Sequence, residues 1–370
     1  MRPVSTCSST VISRGNNYTR VPDRFRFYND LGGAGAYGQT WEARDRDGQQ
    51  VAVKIIPIAG LESLKKAYRE VRIMNSIMGR QEPFVNVSAL CANSDQFDEF
   101  NHVFIIMEHF QMNLKHFDPR GNHRIISSIA FQSLRALEHL HRSDVFHRSL
   151  HPKHFGVREV GNDVLIKLMN FGTARNDEEH NNKTKGVGFL YQSPEQIIGD
   201  DYNFKVDVWA LGCILTELME DQALRRSSES IFIGGNPQDK ICEIVSVLGG
   251  ADDDFIDRHP NLPRELLKNG DNRRGQKLEH RVLFDASTEH PPDRLTEENA
   301  LELLRGMLCI NPDNRFSADK ALDMSYLRRF RPRNPATYIL EAVSAIRGAE
   351  AQKQYKERLF EELRATTMRL

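Results

Sequence analysis

The chain has 370 residues, fifty basic against fifty-one acidic side chains, and a formal charge of −1. Single cores stop growing near ~250–300 residues, so two lobes or domains are expected. Near-neutrality argues against a nucleic-acid clamp or a polybasic membrane binder. The five cysteines are scattered and form no C-x-x-C pair, which argues against a disulfide framework or a zinc knuckle. No apolar run reaches the ~20 residues that span a bilayer, and the start lacks a charged-then-apolar leader. A cytosolic or nuclear setting is therefore expected.

Residues 1–23 show no periodicity and read as a flexible arm. Strand-like alternation follows in Phe25-Arg26-Phe27-Tyr28, in Thr40-Trp41-Glu42-Ala43 after a glycine cluster, and in Gln50-Val51-Ala52-Val53-Lys54-Ile55-Ile56. Leu64, Ala67, Tyr68, Val71, Met74 and Ile77 recur at helical spacing and predict a helix over 61–78. Residues 103–107 read as a buried strand. The first ~110 residues thus predict antiparallel strands with one helix, an α+β arrangement. Beyond residue 125 helices dominate, over 125–141, 207–219, 241–248, 297–308, 318–326 and 352–366. Two short strands are predicted at 145–146 and 164–169. The polar stretch 260–292 reads as an irregular insertion or loop.

Gly33-Ala34-Gly35-Ala36-Tyr37-Gly38 is a G-x-G-x-x-G loop, a weak signal by itself. Here strand residues follow it rather than a helix, so it reads as a glycine hairpin whose N–H groups can approach phosphates. Val51-Ala52-Val53-Lys54 comes next, then Glu70 in the following helix. A lysine on a buried strand needs a partner, and Glu70 is a natural one. Taken singly, Lys54 is equally a strand-edge lysine and Glu70 a solvated helix residue; the three features in this order argue otherwise. His147-Arg148-Ser149-Leu150-His151-Pro152-Lys153-His154, Asn170-Phe171-Gly172, Ser193-Pro194-Glu195, Asp207-Val208-Trp209 and Asn311-Pro312-Asp313-Asn314-Arg315 complete the series.

In this order and spacing the chain resembles a protein kinase across roughly residues 24–330. It resembles in particular the stress-activated MAP kinases, through Val21-Pro22-Asp23-Arg24-Phe25, Ala67-Tyr68-Arg69-Glu70 and Glu99-Phe100-Asn101-His102-Val103. The resemblance implies an α+β bilobal kinase fold, with a small β-rich N-lobe and a large, mainly helical C-lobe. Its boundaries would be an arm at 1–23, the N-lobe at 24–107, a hinge at 108–111 and the C-lobe at 112–331. A MAP kinase-type insert would occupy about 230–292, and a helical C-terminal extension 332–370. The nucleotide-binding positions it implies are Leu31, Gly32, Gly33, Ala34, Gly35, Gly38, Ala52, Lys54, Glu70 and Met107, with Met107 as gatekeeper. Structural roles are implied for His147 and Phe171, stacked beneath Met74, for Asp207 beneath the catalytic loop, and for a Glu195–Arg315 ion pair.

The departures from the pattern are chemical. Ser149 stands at the position of the catalytic Asp, His151 at that of Lys, His154 at that of Asn, and Asn170 opens the Asp-Phe-Gly motif. Serine does not act as the base unaided, and magnesium prefers hard anionic oxygen. Loss of the base alone costs ~10²–10⁴ in rate. The Thr-x-Tyr phosphorylation motif aligns with Lys183-Thr184-Lys185, and no tyrosine lies between Asn170 and Tyr191. Thr184 remains a phosphorylation candidate, with Arg148 to receive it.

Three readings follow. The first is a pseudokinase acting as a binding or scaffold module among signalling proteins such as kinases, activators or substrates. It would bind ATP weakly and without Mg²⁺, more tightly as protonation of His151 and His154 sets in from pH 8 toward 6. No metal, nucleic acid or membrane is expected. The second is an atypical serine/threonine kinase of low activity. The third is a metal site at His151 and His154, which lacks an obvious third ligand. Arg328, Arg329, Arg331 and Arg333 stand where MAP kinases carry an acidic docking patch, so partners with acidic segments are expected. The alternative is that these arginines face solvent or pair with carboxylates such as Asp323.

Overall fold

Alternation along residues 39–57 buries Ala43, Val51, Val53 and Ile55 on one side of a sheet. The computed structural model describes residues 10–14, 17–21, 24–32, 38–77, 83–94, 96–119, 121–176, 189–220, 231–232, 234–260, 264–269, 278–282, 296–330 and 351–367. These belong to two compact units, each assembled from separated stretches. The first takes Met1–Gln111, Met169–Ala174 and Leu340–Leu370; the second takes Met112–Leu168 and Arg175–Ile339.

The first unit begins with β1 (Thr10–Arg14) and β2 (Asn17–Val21), an antiparallel pair of their own. The sequence reading placed a flexible arm here. The two residues between the strands are Gly15-Asn16, a hairpin signal that the polar composition obscured. The main sheet has five antiparallel strands in the order β3 (Arg26–Gly32), β4 (Gln39–Arg44), β5 (Gln50–Pro57), β7 (His102–Glu108) and β6 (Val87–Ala92). On one face Phe25, Ala43, Val51, Val53, Ile55, Ala89, Phe104 and Ile106 form a buried cluster. Helix α1 (Leu61–Ile77) buries Leu64, Ala67, Val71 and Met74, the stripe its spacing predicts.

In the second unit, β8 (Met112–Asn113) pairs with β10 (Phe155–Val160), which pairs with β11 (Asp163–Leu168). A second small sheet joins β9 (Val145–Phe146) to β12 (Arg175–Asn176). Helix α2 (His123–His141) starts at Asn122, whose side chain accepts from the N–H groups of Arg124 and Ile125. Helices α3 (Pro194–Ile198) and α4 (Lys205–Met219) follow, and α4 is buried almost all round. Then come α5 (Pro237–Leu248), α6 (Asp253–Arg258), α7 (Arg264–Asn269), α8 (Leu278–Arg281), α9 (Glu297–Met307) and α10 (Ala318–Leu322). Helices α7 and α8 fall in the stretch that reads as an irregular loop; among the described side chains α7 buries Leu267 and α8 buries Leu278, too little to show as periodicity. A 3-10 segment at Ser325–Phe330 follows α10.

The last helix, α11 (Ala351–Thr367), belongs to the first unit. Tyr355, Leu359 and Leu363 are buried, and Tyr355 meets Tyr68 of α1 edge-to-face at 5.7 Å. Phe360 packs on Phe97 and Phe100 at 5.6 and 5.4 Å. Glu362 accepts from Arg72 at 3.1 Å and also from Asn75. The architecture is thus α+β, with a β-sheet unit and a mainly helical one. Among the described residues, no helix is long and apolar enough to cross a membrane.

Lys240 of α5 is fully buried, and this burial, only partly opposed by Cys213, lowers its pKa to about 8. Unfolded lysine titrates near ~10.4. Between these values the unfolded chain holds more protons, so this group's contribution to stability rises with pH. Below about 8 both states are charged and the native state carries the full cost of burying the ammonium. Lys240→Met is expected to raise Tm at pH 7, by about 2–4 °C per kcal/mol recovered. Differential scanning calorimetry should show the gap to wild type closing as pH rises above about 8.

Candidate functional site

The residues singled out in the sequence fall into two groups, one in each unit. In the first, period-2 alternation turns Lys54 to the face opposite Val53 and Ile55, where α1 brings Glu70. Lys54 Nζ lies 2.5 Å from Glu70 Oε1 and donates to Asn170 Oδ1 at 2.8 Å. Lys54 and Glu70 are both buried, so each charge is matched where solvent cannot help. Asn170 has φ 72°, a left-handed conformation that asparagine tolerates better than most residues. A Cβ at Gly172 would stand 3.0 Å from Glu70 Oε2, so a larger residue there would push that carboxylate by a few tenths of an ångström.

Ala52 and Met107 are buried cross-strand partners on β5 and β7. Gly38 has φ 82°, and a Cβ on it would meet the Ile55 carbonyl oxygen at 2.3 Å, so only glycine fits beside β5. Leu31 is exposed at the end of β3, and Gly32 closes that strand with its N–H on Asp30. Gly33, Ala34 and Gly35 lie outside the described residues, as does Thr184. Phe171 and Met74 are both fully buried in this unit.

In the second unit, Asp207 at the start of α4 is the organising group. Its Oδ1 accepts from the Arg148 N–H at 2.7 Å and its Oδ2 from the His147 N–H at 2.8 Å. His141 Nε2 donates to Oδ2 at 3.1 Å. Burial alone pushes the Asp207 carboxyl up, but the His141 hydrogen bond, the charges of His141 and His147 and the His147 N–H together hold its pKa below the ordinary value. Arg148 sits at φ 68°, and its guanidinium donates to the Tyr202 hydroxyl from Nε at 2.9 Å and Nη2 at 2.7 Å. His147 is fully buried. Arg315 grips Glu195 through both carboxylate oxygens at 2.6 and 2.8 Å and lies over the Trp209 ring. His141 and Tyr202 carry no motif of their own; only their contacts mark them.

Ser149 is buried, and its carbonyl accepts from His154 Nδ1 at 2.7 Å. His151 caps the 3-10 turn Pro152–His154: its Nδ1 accepts from the Lys153 N–H at 3.1 Å. Burial lowers the His151 pKa to about 4, helped by the charges of Lys153 and Lys115. In the chain without bound phosphate, the expected His151 cation near neutral pH does not form. Its ring is half-buried beside two cations, and its Nδ1 accepts from a backbone N–H. The two rings stand 5.9 Å apart, and both Nδ1 atoms are committed to backbone groups. Among the described residues no group of three or more His, Cys, Asp or Glu side chains gathers to hold a metal ion. These donors do not suit Mg²⁺ either, because Asn170 Oδ1 accepts from Lys54 and His154 Nδ1 is a donor.

In the arginine segment, one side chain is engaged within its own unit. Arg329 Nη2 donates to the Arg124 carbonyl at 2.7 Å, lies 3.9 Å from Asp163, and covers the Phe330 ring. These contacts match the reading in which the arginines face solvent or pair with nearby groups. Arg328 is exposed, while Arg331 and Arg333 lie outside the described residues.

The histidine correction has a measurable consequence. Native His151 resists a proton that the unfolded chain accepts, so its contribution to stability is lost as pH falls from ~6.5 toward 4. His151→Gln is expected to lose less stability than wild type across that range. Urea unfolding at stepped pH checks this, and imidazole NMR should show His151 keeping its neutral form between pH 8 and 6.

The protein kinase domain model matches residues 27–327. The chain is 32% identical over 303 residues to the Stress-activated protein kinase jnk-1 of Caenorhabditis elegans, covering 80% of this chain and 62% of that protein, less than two thirds of its length. It is 31% identical to GLH-binding kinase 1 of the same organism, covering 83% of this chain and 78% of the relative. The Stress-activated protein kinase JNK of Suberites domuncula is 28% identical, with 85% of each chain covered. With its Lys54–Glu70 pair, its Asp207-bound loop and its Glu195–Arg315 bridge set inside that match, the chain belongs to the protein kinase domain family.

Proposed function

We propose that this chain is a MAP-kinase-like pseudokinase, a binding module of kinase signalling that keeps the frame of the fold without its phosphoryl-transfer chemistry. The observation that carries the reading is the pairing of Lys54 with the neutral Asn170 amide. With Glu70 as the one carboxylate on Lys54 among the described residues, the cluster carries no net charge, and the Asn170 position offers a metal ion an amide oxygen in place of a carboxylate. Ser149 supplies no base of suitable pKa, and His151 is held neutral by burial. ATP, on this reading, binds weakly and without Mg²⁺, through Lys54 and the glycine segment. Filter assays with radiolabelled ATP and Mg²⁺ or Mn²⁺ are expected to show no transfer above a Lys54→Met control. Robust transfer that Lys54→Met abolishes would overturn the reading. Restoring Ser149→Asp, His151→Lys, His154→Asn and Asn170→Asp together is expected to recover measurable activity.

The intact Lys54–Glu70 pair favours a second reading, an atypical serine/threonine kinase of low activity. The same assay separates the two.

Partners on the first reading are signalling proteins, in keeping with a relative whose name marks it as GLH-binding. Arg328 is the exposed arginine of the described docking segment, so acidic partner segments fit there better than basic ones. Fluorescence polarisation is expected to show an acidic peptide binding more tightly than a basic one, with salt weakening it. Arg328→Glu is expected to weaken the acidic peptide about threefold or more, the scale of a single exposed charge pair. Tight basic-peptide binding that survives Arg328→Glu would remove this partner class.

A further inference from the structure

Phe84 lies between α1 and β6 and is 1% exposed. Its ring meets Phe171 edge-to-face, with centroids 5.8 Å apart and planes at 75°. Phe171 is flanked by the two residues that touch the Lys54 cluster. Asn170 accepts from Lys54 at 2.8 Å, and Gly172 lies close to Glu70, where an added Cβ would stand 3.0 Å from Oε2. Two consecutive residues are therefore gripped by two parts of one unit, Asn170 by β5 through Lys54 and Phe171 by the segment before β6 through Phe84. Asn170 holds a left-handed backbone, which persists where its neighbours over-determine it. Of the two grips, the aromatic one is apolar, so water does not compete with it as it does with the amide–ammonium bond.

We propose that Phe84 is a positioning residue: by anchoring Phe171 it keeps Asn170 on Lys54, and so keeps the lysine partnered on both sides. Phe84 belongs to none of the kinase motifs, and this role is internal to the first unit. It does not depend on whether the protein binds nucleotide or transfers phosphate. Loosening the anchor frees the 169–174 segment and exposes the Lys54 amine to reagents.

The test uses the full chain and two mass-spectrometric readouts, amide hydrogen exchange over 169–174 and acylation of Lys54 by an amine-reactive reagent. Phe84→Ala is expected to speed exchange of 169–174 about tenfold relative to the rest of the unit, and to raise Lys54 acylation several-fold. Phe104→Leu is the control. It sits in the cluster on the opposite sheet face, and is expected to lower stability without selecting 169–174 or Lys54. Phe84→Met keeps a thioether against the Phe171 ring and is expected to fall between wild type and Phe84→Ala on both readouts. Should Phe84→Ala fail to fold, Phe84→Met carries the test alone. Exchange that rises evenly through the unit, or Lys54 acylation unchanged in every folded Phe84 variant, makes Phe84 ordinary core and overturns the proposal.

Discussion

A buried ammonium is the constraint on which the first unit depends. Lys54 points to the interior face of a five-stranded sheet, where an unmatched charge would be untenable. Its two oxygen partners come from places far apart in the chain: Glu70 from a helix sixteen residues on, and Asn170 from a segment 116 residues on. Satisfying one side chain therefore fixes the rotation of α1 and recruits a distant strip of chain into the unit. The α11 contacts reinforce the same helix, since Tyr68 and Arg72 flank Glu70 and meet Tyr355 and Glu362.

The second unit solves a parallel problem with the opposite sign. Asp207 is buried and stays ionised, because two backbone N–H groups and His141 point at it. That arrangement dictates the turn at His147-Arg148, including the positive φ of Arg148. Glu195 and Arg315 form a second buried pair, whose removal from either end would strand a charge. In both units the residues that stabilise the frame are charged and fully matched. Ser149 and Asn170, by contrast, carry no charge, and burial holds His151 neutral near pH 7.

The α1 stripe was legible because its apolar period of 3.6 matches one buried face, β4 and β5 through strand-like alternation, and β7 because 103–107 is a continuous apolar run that is buried on both sides. β6 was not, since Val87-Ser88-Ala89-Leu90-Cys91-Ala92 mixes small residues with little contrast. β10 was hidden by Gly156 and by the charges of Arg158 and Glu159. At the site, Lys54, Glu70 and Asp207 were readable from motif order, for their partners are stereotyped by the fold. The neutrality of His151 was not, because it follows from burial and from Lys115, thirty-six positions away in the chain. Nor was the capture of Arg329, whose partners Arg124 and Asp163 belong to other elements.

Helix α11 also bears on the order in which the protein is made. A chain leaving the ribosome presents the sheet and α1 first, then the 169–174 strip, and the residues that cover Tyr68 and Phe100 last. The second unit needs no residue beyond 339, so it is complete before the first. The first-made strands thus wait with part of their apolar surface uncovered until residues 351–367 emerge, the circumstance in which nascent chains call on chaperones.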